Sequence, residues 1–178
     1  TGLRMLATMG VLVTIIPILE TKGLSRQTAA NFTGFMFGLN FLSRMVFGYL
    51  GDIWPKQIIL TLTLMLECSA LVCLFYASPG SYGLLLIWAF ILFEGLGDGA
   101  GIIVWATLGD FFGRDKFASL RGIITFSHSW ALIASPIFAG WVFDNFQNYQ
   151  IALLVSAVCA GMSAGCFAFV RRPPVLVE

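Results

Sequence analysis

Five ionisable side chains interrupt long apolar stretches of this sequence, and they are the first candidates for a role in binding or proton transfer. They are Arg44, Glu67, Glu94, Asp98 and His128. A charged group at the centre of a membrane-spanning helix costs about 2.5–3.5 kcal/mol on insertion scales, so it normally faces protein or a water-filled cavity. These side chains are therefore the candidates for a binding or proton-transfer site.

Arg44 shares one predicted helix face with Asn40, four residues before it, and with Thr33. An arginine near a helix end can extend its guanidinium to the membrane interface. Alternatively, it lines a central cavity as a fixed positive charge and binds a carboxylate through two parallel hydrogen bonds. The polar stripe favours the cavity, so Arg44 and Asn40 are predicted to contact substrate.

His128 lies on a polar stripe of its segment, with Arg121, Thr125 and Ser135 at helical spacing. A lone buried histidine is often only hydrogen-bonded to neighbouring backbone, and that is the structural alternative. Imidazole is also the side chain that titrates near neutral pH. His128 is therefore predicted to be a second contact for substrate or for a proton.

Glu94 and Asp98 are four residues apart and share a helix face. Two close carboxylates in a medium of low dielectric constant cannot both ionise cheaply, which is the physical requirement for a proton-coupling site. The alternative is that one pairs with a basic group while the other faces water. Glu67 stands alone in its segment, and we expect it to be protonated or paired with a residue outside this sequence.

The composition indicates that these residues belong to an all-α membrane protein. Of 178 residues, 58% are hydrophobic and 11% are charged, whereas soluble domains carry roughly 25% charged residues. Ten Lys and Arg against nine Asp and Glu leave no basic patch for nucleic acid. Six apolar segments of about twenty residues predict a bundle of six transmembrane helices. The predicted spans are residues 3–19, 30–50, 58–77, 83–105, 118–142 and 149–171.

Polar turns separate the predicted spans, including one over residues 109–116, and their charges predict the orientation. Lys and Arg are enriched in cytoplasmic loops. Lys22 and Arg26 fall on one side, so both termini are expected to be cytoplasmic, in the plasma membrane or an inner membrane. The seven residues assigned to the cytoplasmic side are Arg4, Lys56, Arg114, Lys116, Arg121, Arg171 and Arg172.

Glycines at helical spacing, such as the pairs at 34/38 and 97/101, are expected to let helices pack closely.

Several segments resemble the major facilitator superfamily of transporters. Residues 41–52 are similar to the end of the eighth helix of that family and the loop after it, with Ile53 and Pro55 in place of the usual Arg and Gly. Residues 95–101 and 108–114 resemble the tenth helix and its loop, and residues 122–144 resemble the eleventh. The residues that match the loop motif are Gly48, Leu50, Gly51, Asp52 and Lys56.

The resemblance implies that residues 1–178 form the C-terminal six-helix half of such a transporter, built from two inverted three-helix repeats. The N-terminal half would lie outside this sequence, and substrate would pass between the two halves. Gly48, Asp52 and Lys56 would belong to a cytoplasmic gating loop.

Within the superfamily, the chain most resembles the monocarboxylate and oxalate–formate branch. In that branch an eighth-helix arginine precedes the Gly-x-x-x-Asp end of the helix, and Arg44 matches it. Oxalate–formate antiporters carry an eleventh-helix lysine where this sequence has His128. Monocarboxylate symporters carry an acidic residue where this sequence has Asn40, so a proton site would move to Glu94 and Asp98.

The expected function is secondary active transport of a small organic anion, a monocarboxylate, by proton symport or anion exchange. One alternative is a major facilitator carrier of a drug, sugar or nucleoside, in which Arg44 is structural. The other is a membrane scaffold or sensor without transport. An enzyme, a cofactor and a metal site are not expected, because no metal-ligand cluster and no suitable Ser–His pair is present in the sequence. The expected partners are the anion, the lipid bilayer and the N-terminal half.

Overall fold

The computed structural model describes residues 2–169, apart from the side chains of Ala100, Arg114, Asp115 and Ala168. Arg171 and Arg172, which the charge count uses, lie outside this range. The described residues are helical and confirm the all-α class. The helices are α1 (Gly2–Val13), α2 (Ile15–Thr21), α3 (Arg26–Ile53), α4 (Lys56–Tyr76), α5 (Ser81–Gly97), a 3₁₀ turn (Asp98–Ala100), α6 (Gly101–Phe146) and α7 (Gln150–Phe169).

The first predicted span is bent rather than straight. α1 and α2 meet at Thr14 at an angle of 63°. Pro17 lies in the first turn of α2, and its ring is incompatible with a helical hydrogen bond to the carbonyl of Val13, four residues earlier. At the bend, the Thr14 hydroxyl donates a hydrogen bond of 2.6 Å to the carbonyl oxygen of Gly10. The proline therefore accounts for the break.

Four helical stretches are long and apolar enough to cross a membrane: Lys56–Tyr76, Ser81–Gly113, Lys116–Phe146 and Gln150–Phe167. The bent pair of α1 and α2 makes a fifth if it is one span. α3 has 28 residues, about 42 Å of helix, but its polar residues make it less apolar than the others. This helix contains the second predicted span, residues 30–50, and it carries Asn40 and Arg44.

The fourth span extends beyond its predicted end. A turn is predicted over residues 109–116, yet the helix continues to Gly113, where φ is 72° and ψ is 175°. Glycine adopts a positive φ at little cost, so one residue suffices to redirect the chain. Gly113 thus divides α6 into a first arm, which continues the fourth span, and a second arm (Lys116–Phe146), which is the fifth.

The helices form a bundle in which α4 packs against α5 and α7, and α1 packs against α6 and α7. The main core is formed by residues of every helix except α6, with Leu19, Leu71 and Phe90 fully buried. In contrast, α3 and the second arm of α6 expose rows of large apolar side chains. Such surfaces are typical of helices that face lipid or another protein. The exposed rows include Phe41, Met45, Tyr49, Ile123, Phe126, Trp130 and Ile137.

Close packing between α3 and α5 occurs at glycines other than the predicted pair. A Cβ atom at Gly34 or Gly38 would meet nothing within 4 Å among the described residues, so no described helix packs closely against this pair. A Cβ atom at Gly95 would lie 2.9 Å from the Cβ of Leu39, and one at Gly99 would overlap the Ser43 hydroxyl. These glycines therefore hold α5 and the 3₁₀ turn directly against α3.

Candidate functional site

A buried ion pair joins Arg4 of α1 to Glu67 of α4. The Nε atom of Arg4 donates to both carboxylate oxygens of Glu67 at 2.9 and 3.0 Å, and the two side chains are 5% and 0% exposed. The charge count includes Arg4 among the residues of the cytoplasmic side, whereas its side chain lies inside the bundle. Glu67 was expected to be protonated or paired outside the sequence, whereas its partner lies 63 residues earlier in the same chain.

Two glycines make room for this ion pair. A Cβ atom at Gly97 would lie 2.8 Å from the Cγ of Glu67 and 3.0 Å from the carbonyl oxygen of Thr63. One at Gly101 would lie 3.4 Å from the Nη1 of Arg4. The predicted close approach of helix backbones is therefore found at Gly97, whereas Gly101 makes room for the guanidinium of Arg4.

Asp98, in the 3₁₀ turn, is shared by three cationic or polar groups. Its Oδ1 accepts a bond of 3.0 Å from the Nη2 of Arg4, and its Oδ2 accepts one of 2.6 Å from the Nδ2 of Asn40. The Nη2 of Arg44 lies 3.6 Å from the same Oδ2. We refer to Arg4, Asn40, Arg44, Glu67 and Asp98 as the charged cluster; it connects α1, α3, α4 and the 3₁₀ turn.

Arg44 differs from the rest of the cluster in its exposure. Its side chain is 55% exposed, and its distance to Asp98 is that of an ion pair without a good hydrogen bond. Asn40, four residues earlier, is buried, and its amide is directed to Asp98. Asn40 and Arg44 are predicted to share a helix face, and both interact with the carboxylate of Asp98. Whether either residue contacts substrate stays a prediction.

Glu94 and Asp98 have different surroundings although they are one turn apart. Glu94 is 2% exposed, and its Oε2 has no hydrogen-bond partner among the described residues. Its carboxyl group interacts electrostatically with Glu67, Asp98 and Arg4. Asp98, in contrast, receives a hydrogen bond at each oxygen. The two carboxyl groups predicted as a proton site are thus one paired and one unpaired group.

His128 lies beside an aromatic residue rather than in the charged cluster. Its ring is 5.8 Å from the ring of Trp105, measured between centroids, and the guanidinium of Arg121 lies 5.1 Å from the centre of the Trp105 ring. The Nε2 of His128 has no hydrogen-bond partner within residues 2–169. Trp105, on the first arm of α6, therefore contacts both His128 and Arg121, which lie on the second arm.

The polar stripe predicted along the fifth span does not persist as one exposed face. Ser135 is buried and donates a hydrogen bond of 2.6 Å to the carbonyl oxygen of Leu6 in α1. A Cβ atom at Gly10 would overlap this serine, so α1 and the second arm of α6 touch at this point. Ser135 is therefore a helix-packing residue.

At the end of the bundle where α3 meets α4, Lys56 forms an ion pair with Asp110 of the first arm of α6, at 2.6 Å. Asp52 is exposed, and Gly48 faces the side chain of Ile102. These residues were predicted as a gating loop, but the partner of Lys56 was missed. The signal that could have found it is Asp110 itself, in the segment that resembles the loop after the tenth helix. Asp52, Lys56 and Asp110 line an open pocket of about 560 Å³.

The opposite end of the bundle is held by Lys22, which follows α2. Its ammonium group donates hydrogen bonds to the carbonyl oxygens of Phe75 at 3.3 Å and Ala77 at 2.7 Å. These carbonyls end α4, where helical partners are lacking. Partial burial lowers the pKa of Lys22 from its ordinary value.

Among the residues that the structure describes, no group of three His, Cys, Asp or Glu side chains is placed to hold a metal ion.

Comparison with known proteins agrees with this architecture. The chain is 26% identical over 147 residues to Monocarboxylate transporter 12 of Xenopus laevis. The alignment covers 81% of this chain and 32% of that protein, so the chain spans about a third of the length of the relative it matches. The family model of the Major Facilitator Superfamily matches residues 1–178. This family and the apolar helices indicate an integral, multi-pass membrane protein. Because the match extends over the whole chain, the chain belongs to the Major Facilitator Superfamily.

Proposed function

We propose that the chain forms one wall of a secondary transporter for small monocarboxylates, within the complete protein to which it belongs. The observation that carries this proposal is the half-exposed guanidinium of Arg44, which the described residues hold by one ion pair of 3.6 Å. Such a guanidinium can bind a carboxylate through two parallel hydrogen bonds. The similarity to a protein named as a monocarboxylate transporter supports the same substrate class.

The two arginines of the charged cluster have different roles in this proposal. Arg4 is buried and bonded to both Glu67 and Asp98, so a ligand could reach it only by breaking buried ion pairs. Breaking a buried pair costs about 3–5 kcal/mol. Arg44 carries no such penalty, because its contact is longer and its side chain is exposed. Arg44 is therefore the substrate contact, and Arg4 holds the helices together.

Glu94 is the better of the two candidates for proton coupling. Asp98 accepts a hydrogen bond at each side-chain oxygen, from Arg4 and from Asn40. Glu94 is buried, and one of its oxygens lacks a donor within residues 2–169. Ionising it would leave a buried carboxylate with one oxygen that lacks a described hydrogen-bond donor. Uptake and release of a proton at Glu94 would accompany movement of the anion. In anion exchange, the alternative mode, Glu94 would keep its proton throughout.

Transport by alternating access requires a facing half, and we assign the chain to the C-terminal half of the fold. In the proposed orientation both termini are cytoplasmic, in the plasma membrane or an inner membrane. The ion pair of Lys56 and Asp110 then lies at the cytoplasmic end, where it would hold one conformation of the loop that contains Gly48 and Asp52.

Uptake of labelled propanoate into proteoliposomes that contain the full-length protein tests the proposal. We expect uptake driven by an inward proton gradient, and Arg44→Gln should abolish it. Arg44→Lys should reduce uptake, because an ammonium group lacks the planar fork. Arg26→Gln removes an exposed arginine at the start of the same helix and is the matched control. Full uptake by Arg44→Gln, or transport of an uncharged cargo alone, would refute the assignment.

A further inference from the structure

We infer that Asp98 restricts the anion bound at Arg44 to a single negative charge. The inference rests on the proposed function, because it takes Arg44 as the substrate contact. The Oδ2 of Asp98 lies 3.6 Å from the Nη2 of Arg44, so an arriving anion meets a carboxylate as well as a guanidinium. Asp98 is in this view a specificity-determining residue that acts through its charge.

Asp98 cannot turn away when an anion arrives, because its side chain is held on two sides. Arg4 donates to Oδ1 at 3.0 Å and Asn40 donates to Oδ2 at 2.6 Å. Arg4 is fixed in turn by its two-point contact with Glu67, which is completely buried. Moving the Asp98 carboxylate would leave the buried Arg4 without part of its compensation.

The backbone around Asp98 is held as firmly as its side chain. The Ser43 hydroxyl donates a hydrogen bond of 3.0 Å to the carbonyl oxygen of Gly95. Gly99 lies so close to Ser43 that a Cβ atom would overlap the hydroxyl. The 3₁₀ turn is therefore in direct contact with α3, the helix that carries Arg44. The separation between Asp98 and Arg44 is set by packing.

The ion pair between Arg44 and Asp98 can nevertheless break by movement of the Arg44 side chain. Its distance of 3.6 Å exceeds the usual N–H···O range. When Arg44 leaves, Asp98 still accepts hydrogen bonds from Arg4 and Asn40. The guanidinium can then bind a substrate carboxylate while the charge of Asp98 remains beside it.

Counting charges shows why the second charge of a dianion is disfavoured. Arg4, Arg44, Glu67 and Asp98 sum to zero when all are ionised. A bound monoanion then leaves one net negative charge and a dianion leaves two, and each added negative charge is repelled by the carboxylate of Asp98. Replacing Asp98 by Asn makes the empty cluster positive by one. A dianion would then leave one net negative charge, as a monoanion does in the unmodified protein.

Propanoate and malonate test this inference, because they share a three-carbon chain and differ by a carboxylate in place of a methyl group. Calorimetric titration of the purified full-length protein gives both dissociation constants, at a pH where malonate carries two charges. We expect the unmodified protein to prefer propanoate. Asp98→Asn should shift the ratio of the two constants toward malonate by about tenfold or more, since opposing a like charge commonly costs several kcal/mol. Asp144→Asn removes the same charge at an exposed position and should leave the ratio unchanged.

Asn40→Ala provides a second measurement, in which the charge of Asp98 is kept and the affinity for propanoate is followed. Without the amide of Asn40, the Oδ2 of Asp98 engages Arg44 more strongly, so propanoate should bind several-fold more weakly with no gain for malonate. A folded Asp98→Asn protein that keeps the unmodified ratio overturns the inference, while loss of propanoate binding in Arg44→Gln would still support the proposed function. If Asp98→Asn does not fold, unchanged propanoate affinity in Asn40→Ala overturns it instead. Absence of propanoate binding to the unmodified protein overturns both.

Discussion

Arg4 and Glu67, far apart in the sequence, form a two-point ion pair that is shielded from solvent and ties α1 to α4. The same arginine reaches Asp98 in the 3₁₀ turn. Three segments of the bundle are thus joined at one guanidinium. Helices in a membrane gain little from burying apolar surface against each other, so polar contacts of this kind help to specify which helices are neighbours.

Removing one member of this pair should destabilise the protein more than removing both. Glu67→Met leaves Arg4 with only part of its compensation, and we expect unfolding in detergent to become easier by about 3–5 kcal/mol. The double variant Arg4→Met with Glu67→Met retains similar volume without an unpaired charge, so much of the loss should be recovered. Chemical denaturation followed by circular dichroism measures both. A double variant as unstable as the sum of the two single variants would contradict this account.

Gly97 should not tolerate a methyl group. Its Cβ atom would approach Glu67 and the carbonyl oxygen of Thr63 too closely, at 2.8 and 3.0 Å. We expect Gly97→Ala to reduce stability by about 1–3 kcal/mol, as overpacking does. Gly165→Ala is the matched control, because its Cβ atom would meet nothing within 4 Å among the described residues. Thermal unfolding of the two variants compares them directly, and equal melting temperatures would count against the close approach.

His128 should affect transport more than stability. Its Nε2 has no hydrogen-bond partner within residues 2–169, so His128→Gln breaks no bond at that atom. If the imidazole contacts substrate or a proton, the KM for propanoate should rise several-fold while the melting temperature stays unchanged. Ser127→Ala, which removes a hydroxyl bonded to the carbonyl of Ile123 in the same helix, is the control. The reverse outcome, lower stability with unchanged transport, would establish the structural alternative.

Lys22 should make the free energy of unfolding depend on pH in the alkaline range. Burial lowers the pKa of Lys22 below its ordinary value of 10.5, so the unfolded chain binds more protons than the folded one as the pH approaches 10.5. The free energy of unfolding should therefore rise with pH between the pKa of Lys22 in the folded protein and 10.5. Lys22→Met should remove this rise. Unfolding curves at a series of alkaline pH values measure it, and identical slopes for the two proteins would exclude the effect.

Local properties of the sequence determined the class of this protein and several of its important residues. Hydropathy and composition act over about twenty residues, the length that crosses a bilayer, and they predicted an all-α membrane bundle. The rarity of charges inside such segments was enough to select Arg44, Asp98 and Glu94. The turn after the fourth span is shorter than predicted, because helix continues on both sides of Gly113 and the break depends on the φ angle of that residue.

The pairing of the charges was decided by the tertiary structure. Nothing local distinguishes Arg4 from a loop cation or shows that Glu67 faces it, because the partners lie on different helices. The pairing of Asp98 with Arg44 likewise depends on tertiary packing, because the two residues meet only where the 3₁₀ turn packs against α3. Periodicity tells which side chains share a helix face, whereas the helix opposite that face is selected by packing across the whole bundle. That selection turned isolated charged residues into one cluster.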